Sequence, residues 1–143
     1  INPCRYLVFM GMLANGGSAA QPYLMQEITS GDSVRYRAKT SMLQSGFSSD
    51  TAMQVADMMR NNVVSGYGES MFPALRVCAK SGTAETAQGK QTNAMFAGFI
   101  QDNAYPFAFI VVVEEGGSGA RVAAPIAGQV LQACVDAVQN GTD

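Results

Sequence analysis

Val77-Cys78-Ala79-Lys80-Ser81-Gly82-Thr83-Ala84-Glu85 is the stretch on which the reading of this chain turns. Leu75, Val77 and Ala79 alternate with Arg76, Cys78 and Lys80, which predicts a strand from Leu75 to Thr83. At its end a lysine, two hydroxyls and a glycine stand side by side. Hydroxyls donate hydrogen bonds and an ammonium supplies field strength, so the group suits a carboxylate or a developing oxyanion. Gly82 would leave open the space a substrate needs beside an exposed strand edge. A strand amide pointing the same way could hold an acyl oxyanion, an effect worth roughly 3 kcal/mol per donor. The same four residues also read as a solvated strand end, and their neighbours must decide.

Downstream, Gln88-Gly89-Lys90 is a turn, Ala94 to Ile100 a second strand and Asp102-Asn103 another turn. Phe107 to Glu115 then reads as a continuous apolar strand buried on both faces. Gly116-Gly117-Ser118-Gly119 looks like a flexible break. A last helix opens at Ala124-Pro125, with Ile126, Val130, Ala133 or Cys134, Ala137 and Val138 as its apolar stripe, and should lie across the sheet. Asn140-Gly141-Thr142 reads as a helix cap.

Upstream, Ser65 to Pro73 is a connecting loop around Gly66-Tyr67-Gly68. Before it, Ser49 or Asp50 caps a helix to about Val64, with Ala52, Met53, Ala56, Met59 and Val63 on one face. Thr40 to Phe47 shows no clear period. Gln21 to Thr29 and Val34 to Ala38 suggest a short hairpin at the rim, turned at Ser30-Gly31-Asp32-Ser33. Asn2-Pro3 starts a first helix to about Ala14, expected to be buried on most sides, and Asn15-Gly16-Gly17 stops it. The predicted class is α+β, an antiparallel three-stranded meander with flanking helices.

A length of 143 residues with 48% hydrophobic content suits one domain or a large piece of one. The net charge of -2, from 9 basic and 11 acidic residues scattered singly, leaves no basic stripe for nucleic acid. Charged residues make up 14%, well below the roughly 25% of a typical domain. With nine Met, this suggests apolar faces that a neighbouring segment or partner covers. No apolar run approaches the roughly 18 to 20 residues that span a bilayer, and no signal-peptide pattern opens the chain. A start at Ile1, almost directly on a helix signal, reads as a cut within a longer polypeptide. Cys4, Cys78 and Cys134 are odd in number and widely spaced, which suggests buried small hydrophobes rather than a disulfide framework or zinc site. The absence of histidine excludes a Ser-His-Asp triad, a Cys-His pair and imidazole metal sites within this chain. No cofactor is expected.

Lys80-Ser81-Gly82-Thr83-Ala84-Glu85 is followed in order by Asn93-Ala94-Met95-Phe96-Ala97-Gly98-Phe99, a valine-rich strand ending in Glu114-Glu115-Gly116-Gly117, and Ala123-Ala124-Pro125-Ile126-Ala127-Gly128. This succession resembles the carboxy-terminal part of a penicillin-binding protein transpeptidase domain of the high-molecular-weight class. That family carries Lys-Thr/Ser-Gly-Thr on an inner sheet strand. Asn2-Pro3 through Ala14-Asn15-Gly16-Gly17 also resembles the family's helix ending in Ala-Asn-Gly-Gly, so the likeness covers nearly the whole chain.

The resemblance implies part of a serine beta-lactamase/transpeptidase-like fold and an acyl-transfer enzyme of peptidoglycan synthesis. In the family a serine attacks a D-alanyl-D-alanine bond and passes the acyl group to an amine of a neighbouring stem peptide. Beta-lactams trap that serine. By position, Lys80 belongs to the catalytic charge network, and Ser81 and Thr83 hold the terminal carboxylate. The Thr83 amide is an oxyanion donor, and Gly82 keeps the edge accessible. The implied partners are stem peptides and beta-lactams, and the implied place is the extracytoplasmic face of the bacterial membrane, with a membrane-anchored parent.

Two family motifs are missing. No Ser-x-x-Lys occurs, since Tyr36, Val77 and Ala87 stand three residues before Lys39, Lys80 and Lys90. Nor does any Ser-x-Asn occur. Both lie upstream in the family, so residues 1-143 are expected to be the carboxy-terminal portion of the domain without its nucleophile-bearing half. The isolated chain is then expected to be inactive and to pair its uncovered apolar faces with the missing half or another copy. The alternatives are a penicillin-sensing receptor, a beta-lactamase relative or a non-catalytic α+β interaction module. Thr83-Ala84-Glu85 favours the transpeptidase side.

Overall fold

The structure, a computed structural model, describes residues 2–43, 46–85 and 90–141. Helix α1 (Pro3–Ala14) begins where the Asn2 side chain accepts the Arg5 N–H at 3.2 Å and proline fills the first turn. It ends as expected at Gly16 and Gly17, whose φ values of 61° and 92° are left-handed. The hairpin follows as β1 (Glu27–Ser30) and β2 (Ser33–Arg37), exposed along its whole length and clipped by Arg37 to Glu27 at 2.6 Å. Ala20 and Met42 form an isolated antiparallel bridge, and no helical turn forms among the described residues of the 40–47 stretch, of which Gln44 and Ser45 lie outside that description.

Helix α2 (Ser49–Asn62) is capped by Ser48, not Ser49 or Asp50, because the Ser48 hydroxyl reaches the Thr51 N–H at 3.2 Å. Its inner face is Ala52, Ala56 and Met59, continued by Val63, while Met53 is exposed. The stretch read as a loop is partly wound: a π-helical turn (Val63–Tyr67) and a 3-10 turn (Glu69–Met71) carry the chain back to the sheet.

Strands β3 (Val77–Ala84), β4 (Asn93–Ile100) and β5 (Ala108–Val113) pair antiparallel in the order β3-β4-β5, as the alternating pattern predicted. Register is unbroken from Val77 opposite Ile100 to Ala84 opposite Asn93. In the turn between β3 and β4, Gln88 and Gly89 lie outside the described residues, as does Thr142 in the final cap.

The sheet is the middle of three layers. Val77, Ala79, Ala94, Phe96 and Ile100 pack with Leu131 and Val135 of helix α3 (Ala124–Gln139). Cys78, Ala97 and Phe99 point the other way, to Met10, Leu13, Ala56 and Met59 of α1 and α2. One strand period thus feeds two cores.

Four expectations about burial are corrected. The inner face of α3 is Ala124, Ala127, Gly128, Leu131 and Val135, while the expected stripe turns outward, with Ile126, Val130 and Val138 exposed. Close approach selects small residues here: a Cβ on Gly128 would lie 2.2 Å from the Met71 carbonyl oxygen. Helix α1 buries Met10 and Leu13 but leaves Leu7 and Phe9 exposed, because the sheet meets only one side of it. Strand β5 is the sheet's edge among the described residues and is half-buried rather than enclosed. Of the cysteines Cys78 is buried, Cys134 half-buried and Cys4 exposed.

Gly98 sits between Ala79 and Phe109 across the three strands. A Cβ there would come within 2.1 Å of the Cys78 carbonyl oxygen and 2.9 Å of the Phe109 ring. Gly98→Ala should therefore destabilise the protein by about 3 kcal/mol. Urea unfolding checks this, and an unchanged midpoint would contradict the packing.

Candidate active site

Strand β3 leaves the core as it reaches its end. Val77, Cys78 and Ala79 are fully buried, Lys80 and Thr83 are exposed, and Ser81 and Gly82 are half-buried. The Lys-Ser-Gly-Thr group thus rides on the strand's emerging end, anchored by a buried stem.

β4 lies on one side of β3, and the other side carries no strand among the described residues. Side chains take its place. Arg60 Nη1 donates to the Val77 carbonyl at 3.3 Å, and Asn62 Nδ2 to the Ala79 carbonyl at 3.5 Å. The Ser81 N–H donates to the Tyr67 phenol oxygen at 2.8 Å, and Lys80 Nζ donates to the Ser81 carbonyl at 2.8 Å. These contacts mark Val77, Ala79 and Ser81 as the residues whose backbone groups point away from β4. Because that direction repeats every second residue, the Thr83 N–H lies next along the same edge.

Arg60, Asn62 and Tyr67 all come from the end of α2 and the π-helical turn after it. That turn is held by Val63, which is fully buried, and by the Tyr67 ring, which meets Phe96 edge-on with centroids 5.1 Å apart. Phe96 in turn stacks on Phe72 at 5.7 Å and on Phe109 at 6.1 Å. The phenol therefore reaches Ser81 from a fixed aromatic base.

Gly82 has room. A Cβ there would touch Met95 Cβ at an ordinary 3.4 Å, so this chain's own packing does not demand glycine. Gly119 does not have room: its Cβ would lie 2.2 Å from the Met95 carbonyl oxygen and 2.3 Å from that of Gly82. The segment read as a flexible break is thus seated on the sheet, with Ser118 capping the π-helical turn (Gly119–Ala123) and Gly117 N–H bonded to the Thr92 carbonyl at 2.8 Å.

Among the described residues no group of three or more His, Cys, Asp or Glu is arranged to hold a metal ion. The cavity between α1 and the β4–β5 connection, lined by Val8, Gly11, Asn15, Gln101 and Phe107, contains none of the motif residues. What the edge carries is the Lys80 ammonium on the Ser81 carbonyl, the Ser81 hydroxyl and, two residues on, the exposed Thr83, residue types that suit an anion.

The model of the penicillin binding protein transpeptidase domain matches residues 1–132. The chain belongs to that family. No curated protein matches it. Among solved structures, this transpeptidase-family chain is similar to penicillin-binding protein A from M. tuberculosis, described as an imipenem acyl-enzyme complex, at 24% identity and a TM-score of 0.85, covering 94% of this chain and 31% of that one. It is also similar to the D,D-transpeptidase domain of a peptidoglycan glycosyltransferase from Eggerthella lenta, at 25% identity and a TM-score of 0.79, covering 91% and 31%. Pseudomonas aeruginosa PBP2 in complex with WCK 5153 matches at 27% and 0.69, over 93% and 30%. The chain spans about a third of the length of the solved chains it matches. The mixed fold, an antiparallel sheet between helices, is that of the family's beta-lactamase-like domains.

Within this family member the expected residues Lys80, Ser81, Gly82 and Thr83 fall together on one strand end, while Tyr67, Arg60 and Asn62 were not anticipated. The signal for Tyr67 was faint, an aromatic between two glycines in a stretch read as a connection.

Cys78 lies on the same strand two residues before Lys80, and burial pushes its thiol up to about 11, outweighing the lowering effect of Arg76 and Arg60. It stays protonated at neutral pH and is no nucleophile. The unfolded chain loses this proton near 9.0, so the thiol's contribution to stability is full below that pH and is lost as pH rises towards about 11. Iodoacetamide at neutral pH should modify exposed Cys4 and spare Cys78 until the protein unfolds, as read by peptide mass spectrometry. Equal labelling of both would contradict the burial.

Proposed function

We propose that this chain is the carboxy-terminal portion of a serine D,D-transpeptidase and supplies one wall of its acyl-transfer site, the nucleophile lying outside residues 1–143. One observation carries the reading. The outward edge of β3 is capped as far as Ser81, where Lys80 Nζ and the Ser81 hydroxyl gather, and Thr83 follows as the next residue whose amide faces that edge, exposed at the strand's emerging end.

In this reading the terminal carboxylate of a stem peptide, or of a beta-lactam, rests on the Ser81 and Thr83 hydroxyls within the field of Lys80. When a serine from the other wall adds to the substrate carbonyl, negative charge grows on its oxygen. The Thr83 N–H then donates to that oxygen, a stabilisation of roughly 3 kcal/mol for one well-placed donor. Gly82 leaves the approach to the strand open. Collapse breaks the peptide C–N bond and expels the terminal D-alanine, its amine taking up the proton lost by the serine. An amine of a second stem peptide then attacks the acyl-serine ester, and its proton goes back to the serine oxygen as that ester breaks. The acyl-enzyme described for penicillin-binding protein A supports beta-lactam binding as part of this reading.

The parent protein would act at the extracytoplasmic face of the bacterial cytoplasmic membrane, held by an anchor outside this chain. No helix among the described residues is long and apolar enough to cross a membrane. The exposed Leu7, Phe9, Ile126, Val130 and Val138 would be covered by the nucleophile-bearing half or, in the isolated chain, by a second copy.

A fluorescent penicillin should label the complete protein and leave the isolated 143-residue chain unlabelled. Covalent labelling of a serine in the isolated chain would overturn the assignment of the nucleophile. In the complete protein Gly82→Ala should slow acylation on the order of 100-fold. Its thermal midpoint should hardly move, because the added methyl meets only Met95 within this chain. A variant that acylates normally would remove Gly82 from the site.

A further inference from the structure

We propose that Tyr67 is a positioning residue that commits the Ser81 hydroxyl to donating towards an anionic ligand, and thereby sets the site's preference for substrates with a free carboxylate. This rests on the acyl-transfer reading above and adds to it a residue outside the Lys-Ser-Gly-Thr group.

A phenol has one proton to give and lone pairs to receive. Tyr67 uses both on a single residue: its oxygen accepts the Ser81 N–H at 2.8 Å, and its O–H donates to Ser81 Oγ at 3.1 Å. Three consequences follow from that pairing. The Ser81 amide is consumed and does not compete for the ligand. The Ser81 oxygen has already accepted a hydrogen bond, so its own proton has no reason to point back at Tyr67 and is free to face the open edge. Donation into that oxygen also polarises the hydroxyl, which strengthens the bond it gives next.

Lys80 completes the arrangement on the same edge. Its Nζ sits on the Ser81 carbonyl at 2.8 Å, so Ser81 is gripped at its nitrogen, its hydroxyl oxygen and its carbonyl. A serine held in this way presents one remaining polar function, a directed O–H beside a cation. That pairing recognises a carboxylate and has less to offer a neutral ester, which carries no charge to strengthen the bond. The Tyr67 ring is fixed edge-on against Phe96 at 5.1 Å, so the phenol does not need to be ordered when ligand arrives.

A role confined to stability is the competing account, since Tyr67 also covers a bare stretch of strand edge. The two part company on the ligand's charge. In the complete protein, acylation rate constants are measured for benzylpenicillin and for its methyl ester, with wild type and Tyr67→Phe, which keeps the ring and removes the hydroxyl. The rate with the acid should fall about tenfold, the effect of losing one charge-assisted hydrogen bond. The rate with the ester should stay within about twofold, so the acid-to-ester ratio falls. Both rates come from one preparation, so any loss of folded protein cancels in the ratio. In a Ser81→Ala background the same Tyr67→Phe change should leave the ratio unaltered, because the hydroxyl through which Tyr67 acts is gone.

Equal losses with acid and ester, or no loss with either, would overturn the proposal. So would a fall in the ratio that persists without the Ser81 hydroxyl. If the wild-type protein is not acylated by benzylpenicillin at all, the acyl-transfer reading itself fails and the role of Tyr67 falls with it.

Discussion

An edge strand leaves a row of backbone donors and acceptors with no strand to meet them, and in β3 that row is filled by side chains from one short piece of chain. Arg60, Asn62 and Tyr67 leave the end of α2 and the π-helical turn in order and meet Val77, Ala79 and Ser81 in order. The series ends at Ser81, within the Lys-Ser-Gly-Thr group, and beyond it the strand emerges to an exposed Thr83. The backbone of the buried stem has its partners from within the chain, and the proposed site begins where that series of partners ends. The position of the site and the satisfaction of the edge are therefore one constraint.

That arrangement depends on a rigid sheet. β3 is braced by an unbroken register with β4, by two apolar cores on opposite faces, and by an aromatic stack running from Phe72 and Phe109 through Phe96 to Tyr67. Above the group, Gly119 lies against the backbone of Gly82 and Met95 at a distance no side chain would allow. A site on a strand held in this way is preorganised, which electrostatic stabilisation requires: donors must already point where charge will develop.

The corrected elements share one cause. Periodicity weighs large apolar side chains, and in α3 it selected Ile126, Val130 and Val138 as the inner stripe. Close packing against the Met71 backbone needed the opposite face, where Ala127 and Gly128 let the helix approach. Helix α1 failed as an enclosed element for a related reason, since its apolar residues surround it but the sheet meets one side. Large exposed residues therefore remain on both helices of a chain that spans about a third of the length of its structural relatives.

The order of elements, the antiparallel pairing of β3, β4 and β5, the stop of α1 and the run Lys80 to Thr83 were all determined by the sequence alone. They rest on local physics, namely caps, left-handed glycines, two-residue alternation and the chemistry of adjacent side chains. Tertiary structure decided which face of α3 is inner, that the segment before it is seated rather than flexible, and that Tyr67 reaches Ser81 across fourteen positions of chain. No local pattern encodes these, because each depends on how closely two backbones approach once the cores have formed. The strand that opened the reading was legible from its own residues, and the phenol that holds it was not.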